Sequence, residues 1–259
     1  MIDVQSSVDI RNIPICQVGI KNVVHPLSFS DNDEQNTTVQ SVGDFSLYVH
    51  LPKEKKGTHM SRFLSLLYTY SNKLSLNQLS SFSHDMNNLL ESNSSFLSVS
   101  FPFFHKKEAP VSKTIGTIDV AVTLQIENIE GNLSQKISVQ VPIKSLCPCS
   151  KAISEYGAHS QRGHITIHLW NSQLSIKDCI EIAEEAASSP IYSILKREDE
   201  KYVTEHAYNK PRFVEDLARE SAYLLKEKSA GAKFEITAEN FESIHNHSAW
   251  ACVRSEDIQ

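Results

Sequence analysis

A regular alternation of apolar and polar residues over residues 116–128 most constrains the fold of this chain. In GTIDVAVTLQIEN, every second position from Ile118 to Ile126 is apolar, and polar or small residues stand between them. A turn at Gly131 and a second alternating segment, KISVQVPI, follow. Because successive side chains point to opposite faces of a strand, this pattern predicts a β-hairpin with one buried face. The chain should therefore contain an antiparallel sheet.

The same kinds of segment recur on both sides of the hairpin. After a polar N-terminal tail, the first half contains an alternating strand, two segments with helical spacing and further strands: GDFSLYVHL, MSRFLSLLYTYSNK, LNQLSSFSHDMNNLLES, FLSVSFPFF. The second half repeats this order: GHITIHLW, SIKDCIEIAEEAAS, PRFVEDLARESAYLLKEK, AKFEITAENF, SAWACV. In the first of its helical segments, Ser175 with Asp178 three residues later predicts a capping box at the helix N-terminus. The sequence therefore predicts an α+β fold of two tandem units, residues 1–130 and 131–259, each with an antiparallel sheet and paired helices on one face.

Composition narrows the possible functions. A chain of 259 residues with 40% hydrophobic residues can bury a large core, and its formal net charge of −6 argues against nonspecific nucleic-acid or membrane binding. It contains no apolar run of about 20 residues and no signal-peptide pattern, which favours a cytoplasmic protein. Five scattered cysteines are poor material for a disulfide framework. Reduced thiols, and with them a metal, are the better expectation.

The stretch SLCPCSKAISEYGAHSQRGH carries the most specific chemistry. Cys147 and Cys149 flank a proline, a spacing that does not match the paired C-x-x-C loops of structural zinc sites. His159 follows them, and His245 and His247 occur near the C-terminus. A Cys, His and carboxylate set suits zinc or another divalent transition metal, with one thiolate on the metal and one free. The alternative is that both cysteines are small buried residues at a strand end.

Other polar segments are more ambiguous. His164 and His168 share one face of a predicted strand and are expected to be half-exposed strand residues rather than ligands. The cationic segment KEKKGTHMSRF, with His59 and Arg62, either holds phosphates beside a helix N-terminus or is simply solvated. The chain has no P-loop and no G-x-G-x-x-G turn, so a nucleotide would need another kind of pocket.

Several ordered motifs together resemble the type IB GTP cyclohydrolases of prokaryotes. These motifs cover nearly the whole chain: GTHMSRF, SLCPCSKAISEYGAHSQRGH, LKREDEKYVTEHAY, FVEDLARE, ESIHNHSAWA. The resemblance implies the tunnelling fold, built from two strand-strand-helix-helix-strand-strand units, and a homotetramer with active sites at subunit boundaries. It also implies conversion of GTP and water to 7,8-dihydroneopterin triphosphate and formate, the first step toward folate and deazaguanine-modified tRNA.

The resemblance further implies roles for individual residues. A divalent transition metal (zinc, manganese or iron) would be bound by Cys147, His159, Glu200 and His245. Cys149 would be the free active-site thiol, and it, His245 or His247 would serve the proton transfers. Glu215 would read the guanine edge, and His59 and Arg62 are further candidates for substrate binding.

Two alternatives belong to other functional classes. A related tunnelling-fold enzyme, the nitrile reductase of the deazaguanine pathway, uses a nucleophilic cysteine and NADPH without a catalytic metal, and nicotinamide oxidation would identify it. A noncatalytic, zinc-stabilised assembly protein would bind metal but release no formate from GTP. The additional His and Glu motifs argue against the reductase.

Overall fold

The computed structural model describes residue 5, residues 7–31 and residues 38–258. These residues form a mixed α+β fold with six α-helices and long strands. Two compact units divide the chain, residues 1–102 with 123–136 and residues 103–122 with 137–259. Within the described ranges, no helix has the length and apolar character needed to cross a bilayer.

The first unit contains two helices, three complete strands and parts of three longer strands, two of which lie within residues 123–136. In chain order, the elements up to residue 102 are β1 (Ile15–Ser30), β2 (Thr38–Leu51), α1 (Met60–Tyr70), β3 (Leu74–Ser75), α2 (Gln78–Leu90) and the first part of β4 (Ser94–Glu108). Strand β2 runs antiparallel to both β1 and β4, and the two-residue β3 pairs in parallel with β1. Helices α1 and α2 contact each other.

The core of the first unit follows the sequence pattern closely. In β2, the predicted inward face is confirmed, because Phe45, Leu47 and Val49 are buried. The helices contribute apolar residues four positions apart, including Phe63 with Leu67 on α1, and such pairs lie on one face of a helix.

The second unit contains the remaining elements. They are the last part of β4, the first part of β5 (Ile115–Ile129), most of β6 (Asn132–Leu146), α3 (Pro148–Ile153), β7 (Ser160–Trp170), α4 (Ile176–Ala186), β8 (Ser189–Pro190), α5 (Arg197–Asn209), α6 (Val214–Lys228), β9 (Lys233–Phe241) and β10 (Ser248–Arg254). Strand order here is β10-β9-β7-β6, with β8 beside β6. Strands β5 and β6 are neighbours joined at Gly131, whose φ of 87° suits glycine, as the hairpin prediction requires.

Local signals fix the helix ends of the second unit. Helix α4 begins with the predicted capping box, in which Asp178 N donates to Ser175 Oγ and Ser175 N donates to the Asp178 carboxylate. At the start of α6, Phe213 N donates to Asp216 Oδ2 at 2.9 Å. Helix α6 contacts α4, β9 and β10. The end of β6 and the starts of α5 and α6 are thereby placed within one unit.

The sequence interpretation missed two long elements, β1 and α5, as well as the short α3, β3 and β8. Residues 15–30 were expected in a polar tail but form β1, because a 16-residue strand paired along β2 needs few buried side chains in its first half. The acidic segment after residue 196 was interpreted only as a source of carboxylates, yet it forms α5, which buries one narrow stripe: Asp199, Val203, Ala207. The division at residues 130 and 131 refers to a repeated plan of elements, and it stays a prediction.

Candidate functional site

The end of β6 places Cys147 beside His159. Cys147 N donates to His159 O at 3.1 Å, and His159 N donates to Ser150 Oγ at 3.2 Å. Cys147 caps α3, where Ser150 N approaches its Sγ at 3.5 Å. The loop from residue 154 to residue 158 therefore returns the chain to the strand end. These hydrogen bonds hold the main chains of Cys147 and His159 next to each other.

Three further contacts anchor the strand that carries Cys147. Ser145 Oγ donates to Asn240 Oδ1 at 2.9 Å, and both side chains are buried. Leu146 N donates to Ser188 Oγ at 3.0 Å, and Leu146 O accepts from Arg212 N at 3.0 Å. The strand end is thus bonded to β9, to the segment before β8 and to the segment before α6. Because buried polar groups are costly when unpaired, these contacts restrict where Cys147 can lie.

The imidazole of His159 has its own polar surroundings. Its Nδ1 lies 2.9 Å from Gln161 Oε1 and 3.2 Å from Ser243 Oγ. Gln161 Nε2 in turn donates to Glu242 Oε1 at 3.4 Å. Glu242 and Ser243 belong to the segment after β9 that also carries His245. The loop with the C-terminal histidines therefore touches His159 and its neighbour.

The predicted residues His245 and His247 are exposed on this loop. Their rings stack with centroids 5.0 Å apart. In contrast, His164 and His168 are half-buried residues of β7, as expected. The ring of His164 meets that of Phe241 edge-on, and His168 Nδ1 lies 2.7 Å from Ser138 Oγ. The structure thus separates two strand histidines from two loop histidines.

Glu200 lies exposed in the first turn of α5, next to a buried acid. Asp199 accepts hydrogen bonds from Val111 N, Ser112 N and Lys196 N, each at 2.9 Å. Burial alone would raise the pKa of Asp199, but these bonds and one from the Ser112 hydroxyl lower it below its ordinary value. The carboxylate beside Glu200 is therefore an ionised structural anchor for the start of α5.

Glu215 and Cys149 are both exposed near the same strand end. Glu215 lies in the first turn of α6, where Asp216 rather than Glu215 makes the capping bond. The bond from Arg212 N to Leu146 O places this helix start beside Cys147. Cys149 lies in the first turn of α3. Both side chains are thus accessible to a bound molecule.

A cavity of about 260 Å³ lies against the start of β7, directly after His159. The start of β7, including Gln161 and Arg162, lines one part of it, and Tyr192 and Val203 line another. Val203 belongs to the buried stripe of α5, one helical turn after Asp199, while Glu200 is exposed. The cavity is therefore shared by the segment that follows His159 and by the helix that carries Glu200.

The predicted metal ligands are only partly gathered. Across the described parts of the chain, no three His, Cys, Asp or Glu side chains are close enough to hold a metal ion together. Cys147 and His159 are adjacent, and a thiolate with an imidazole is a donor pair that suits zinc and similar metals. These two residues fit a divalent metal, while Glu200 lies exposed on α5 and His245 lies exposed on the loop after β9.

His59 and Arg62 belong to the first unit. Arg62 Nη1 donates to Leu89 O at 2.9 Å, and Lys55 Nζ pairs with Glu91 Oε2 at 2.8 Å. These residues surround a pocket of about 20 Å³, room for roughly one water molecule. The cationic segment is therefore partly neutralised by its own unit, and its pocket is too small to enclose a triphosphate.

The structure also shows supporting residues that the sequence interpretation missed. Gln161, Asn240 and Asp199 are buried polar side chains bonded to segments that carry predicted site residues. Only Gln161 has a sequence signal, since it lies two residues after His159 and occupies an inward position of β7 that is otherwise small or apolar.

Comparison with known proteins identifies the family. The sequence model described as "Type I GTP cyclohydrolase folE2" matches residues 1–251. The GTP cyclohydrolase FolE2 of Neisseria meningitidis serogroup C is 46% identical over 252 residues, which cover 97% of this chain and 84% of that protein. Those of Herminiimonas arsenicoxydans and Nitrosococcus oceani are 46% and 44% identical, covering 98% of this chain and 97% and 95% of theirs.

Solved structures show weaker similarity. A crystal structure of uricase from Arthrobacter globiformis has a TM-score of 0.49 with 6% identity and covers 94% of each chain. A uricase from Bacillus fastidious has a TM-score of 0.44 with 10% identity, covering 93% of this chain and 94% of that one. The assignment rests on the sequence comparisons, and by them this chain belongs to the type I GTP cyclohydrolase FolE2 family.

Proposed function

We propose that the GTP cyclohydrolase reaction of this protein takes place beside Cys147 and His159. The protein is a GTP cyclohydrolase of folate biosynthesis, as its full-length similarity to FolE2 enzymes shows. The observation that carries the placement is the backbone bond that sets Cys147 against His159, next to a cavity bordered by β7 and α5. GTP and water would react there to give 7,8-dihydroneopterin triphosphate and formate.

The family is metal-dependent, and we assign the ligands to Cys147, His159, Glu200 and His245. Zinc, manganese or iron suits this mixed set of sulfur, nitrogen and oxygen donors. When bound, such a metal acts as a Lewis acid and lowers the pKa of water from 15.7 toward about 7. The adjacency of Cys147 and His159 supports the first half of the set. For Glu200, the anchored start of α5 provides a fixed position.

Proton transfers are assigned to Cys149, His245 and His247. Opening the imidazole ring of GTP and releasing formate require protons to be added and removed at ring nitrogens. All three side chains are exposed and therefore accessible, and an imidazole can both donate and accept a proton near neutral pH. Cys149 cannot cap α3, because that position belongs to Cys147, so its thiol is available to substrate.

Glu215 is assigned to recognition of the guanine base. Guanine presents N1–H and an exocyclic amino group side by side, and one carboxylate can accept from both. Since Asp216 caps α6, the carboxylate of Glu215 is not required for the helix end. The competing explanation is a solvated glutamate stabilised by the helix dipole by about 0.3 to 1 kcal/mol. The bond from Arg212 N to Leu146 O supports the site role.

His59 and Arg62 of the cationic segment are assigned to substrate binding, as surface contacts to phosphate oxygens rather than as parts of an enclosing pocket. Arginine and histidine side chains donate to phosphate oxygens, and the start of α1 supplies further N–H groups. The pairing of Lys55 with Glu91 and of Arg62 with Leu89 O reduces the charge and donors available. Phosphate binding would therefore require Arg62 to exchange its carbonyl partner for a phosphate oxygen.

We also propose the tandem tunnelling plan, a homotetramer and a cytoplasmic location. The order β1-β2-α1-α2-β4-β5 followed by β6-β7-α4-α6-β9-β10 supports the tandem plan, with α3, α5 and short strands added. Large apolar side chains near the site are highly exposed, among them Tyr156 at 97% and Ile244 at 63%. Such exposure next to functional residues supports a neighbouring subunit that covers them.

The decisive experiment pairs metal analysis with a GTP-to-formate assay on the purified protein. Cys147→Ala and His159→Ala should each lose turnover and bound metal while staying folded. Cys149→Ala should keep the metal but lose most activity, and Cys16→Ala, an exposed thiol in the first unit, is the matched control. Wild-type turnover and metal content in Cys147→Ala or His159→Ala would show that the site is elsewhere. Nicotinamide oxidation should be absent.

A further inference from the structure

We propose that Gln161 is a positioning residue that selects Nε2 of His159 as the metal-binding nitrogen and connects His159 to the loop that carries His245. This inference rests on the proposed function, since it assumes that His159 is a ligand. Three contacts carry it: His159 Nδ1 to Gln161 Oε1 at 2.9 Å, His159 Nδ1 to Ser243 Oγ at 3.2 Å and Gln161 Nε2 to Glu242 Oε1 at 3.4 Å.

The chemistry of these groups fixes the direction of each hydrogen bond. An ionised carboxylate can only accept, so the Gln161 side-chain atom that faces Glu242 must be the NH₂ group. The amide oxygen then faces His159, and because that oxygen can only accept, Nδ1 must carry the proton. In a neutral imidazole with a protonated Nδ1, the lone pair is on Nε2. That atom is then the one free to bind a metal.

The burial of Gln161 indicates that its amide has a specific role in the structure. Gln161 is 7% exposed and begins the inward face of β7, which continues through Gly163, Ile165 and Ile167. A buried amide without partners would be unfavourable, and an apolar residue would fit the face better by pattern alone. Here both ends of the amide are bonded, one to His159 and one to Glu242.

The same contacts link two segments that are far apart in sequence. Glu242 lies three residues before His245, and its carboxylate is held by the amide that also holds His159. Gln161 therefore sets the orientation of one predicted ligand and the approach of the segment that carries another. Residues that orient metal-binding histidines through the second ring nitrogen typically contribute about 10- to 100-fold to metal affinity or activity.

The test is to replace Gln161 with methionine, which keeps the length of the side chain but removes both polar groups. Zn²⁺ affinity of the full-length chain is measured by competition with a chromophoric chelator, and the tautomer of His159 is read by ¹⁵N NMR in chelator-treated protein. We expect Zn²⁺ affinity to fall by about 10- to 100-fold. We also expect the protonated-Nδ1 tautomer to lose its dominance in Gln161→Met.

A rescue variant separates positioning from simple destabilisation. Gln161→Glu alone places two carboxylates together and should weaken Zn²⁺ binding. Adding Glu242→Gln restores the order of donors and acceptors, because the new amide at residue 242 donates to the carboxylate at residue 161, which still accepts from His159. The double variant should recover most of the affinity. Ser83→Ala, which removes a buried serine pair in the first unit, should leave affinity unchanged.

The outcomes distinguish this inference from the proposed function. Unchanged Zn²⁺ affinity in His159→Ala would overturn the proposed function and, with it, the role of Gln161. If His159→Ala loses Zn²⁺ but Gln161→Met keeps both wild-type affinity and the protonated-Nδ1 tautomer, only the present inference is overturned. Failure of the double variant to recover affinity, while its thermal unfolding matches that of the wild type, would also overturn it.

Discussion

Two of the predicted ligands, Glu200 and His245, lie apart from the adjacent pair of Cys147 and His159. The segments that carry them are held in place in different ways. The start of α5 is fixed by Asp199, a buried carboxylate that accepts from three backbone N–H groups. The loop after β9 is closed at its base by the pairing of Phe241 with Ser248, and it touches His159 and Gln161 through the side chains of Ser243 and Glu242. Backbone hydrogen bonds to a buried carboxylate therefore fix the position of Glu200. The position of His245 depends on side-chain contacts around His159.

The hairpin that holds Asp199 is itself well supported. Ala109 N donates to Thr114 O at 2.9 Å, which closes the turn between β4 and β5. Before the turn, Lys107 forms a largely buried ion pair with Glu184 of α4 and lies 4.2 Å from the centre of the Tyr192 ring. Burial raises the pKa of Glu184 and lowers that of Lys107, and each partner opposes the shift of the other. The hairpin that anchors the start of α5 is thus itself joined to α4.

The largest expected effects come from removing either ligand. Glu200→Gln and His245→Ala should each lower kcat/KM for GTP by more than about 100-fold and reduce bound metal, since loss of a ligand exceeds the usual effect of its supporting residues. Both side chains are exposed, so thermal stability of the metal-free protein should not change. Glu198→Gln is the matched control on α5. Full metal content in either variant would show that the replaced residue is not a metal ligand. The contrast between the two ligand-carrying segments would then have no functional meaning.

Glu215→Gln should have the next largest effect. The amide loses one acceptor and turns a donor toward a guanine donor, which leaves polar groups unpaired at a cost of about 1 to 3 kcal/mol. We expect kcat/KM for GTP to fall roughly ten- to a hundredfold with metal content intact. Glu227→Gln, at the other end of α6, is the control. Near wild-type turnover in Glu215→Gln would leave only the solvated-helix explanation.

Asp199→Ala tests directly whether Asp199 anchors the start of α5. Three backbone N–H groups lose their acceptor, so we expect the Tm to fall by about 5 °C or more. Asp199→Asn keeps one acceptor oxygen and should lie between Asp199→Ala and the wild type. Activity should fall with stability, because Glu200 moves with the start of α5. A wild-type Tm in Asp199→Ala would show that α5 is held by other contacts.

Sequence patterns predicted the packing elements better than the contacts that assemble the site. Alternation in β2 and β7 and the Ser175 capping box depend on neighbouring residues, and all three are seen in the structure. The roles of Asp199 and Asn240 depend on partners 88 and 95 residues away, so no local pattern reveals them. The tertiary fold decides which distant groups meet, so hydrogen bonds such as those of Asp199 and Asn240 cannot be predicted from neighbouring residues.

Ser243→Ala should give the smallest effect and probes the loop side. The Ser243 hydroxyl lies 3.2 Å from His159 Nδ1, farther than the Gln161 oxygen at 2.9 Å, so it is the weaker of two acceptors for one proton. Ser243 is also exposed, and water can replace its hydroxyl when it is removed. We therefore expect Zn²⁺ affinity to fall by only about two- to fivefold, which corresponds to less than about 1 kcal/mol.

Chelator competition measures this change, with Ser255→Ala, beyond β10, as the control. A loss as large as that expected for Gln161→Met would mean that Ser243, rather than Gln161, joins the loop to His159. The loop would then be held by its own residues, and its contrast with the anchored start of α5 would disappear.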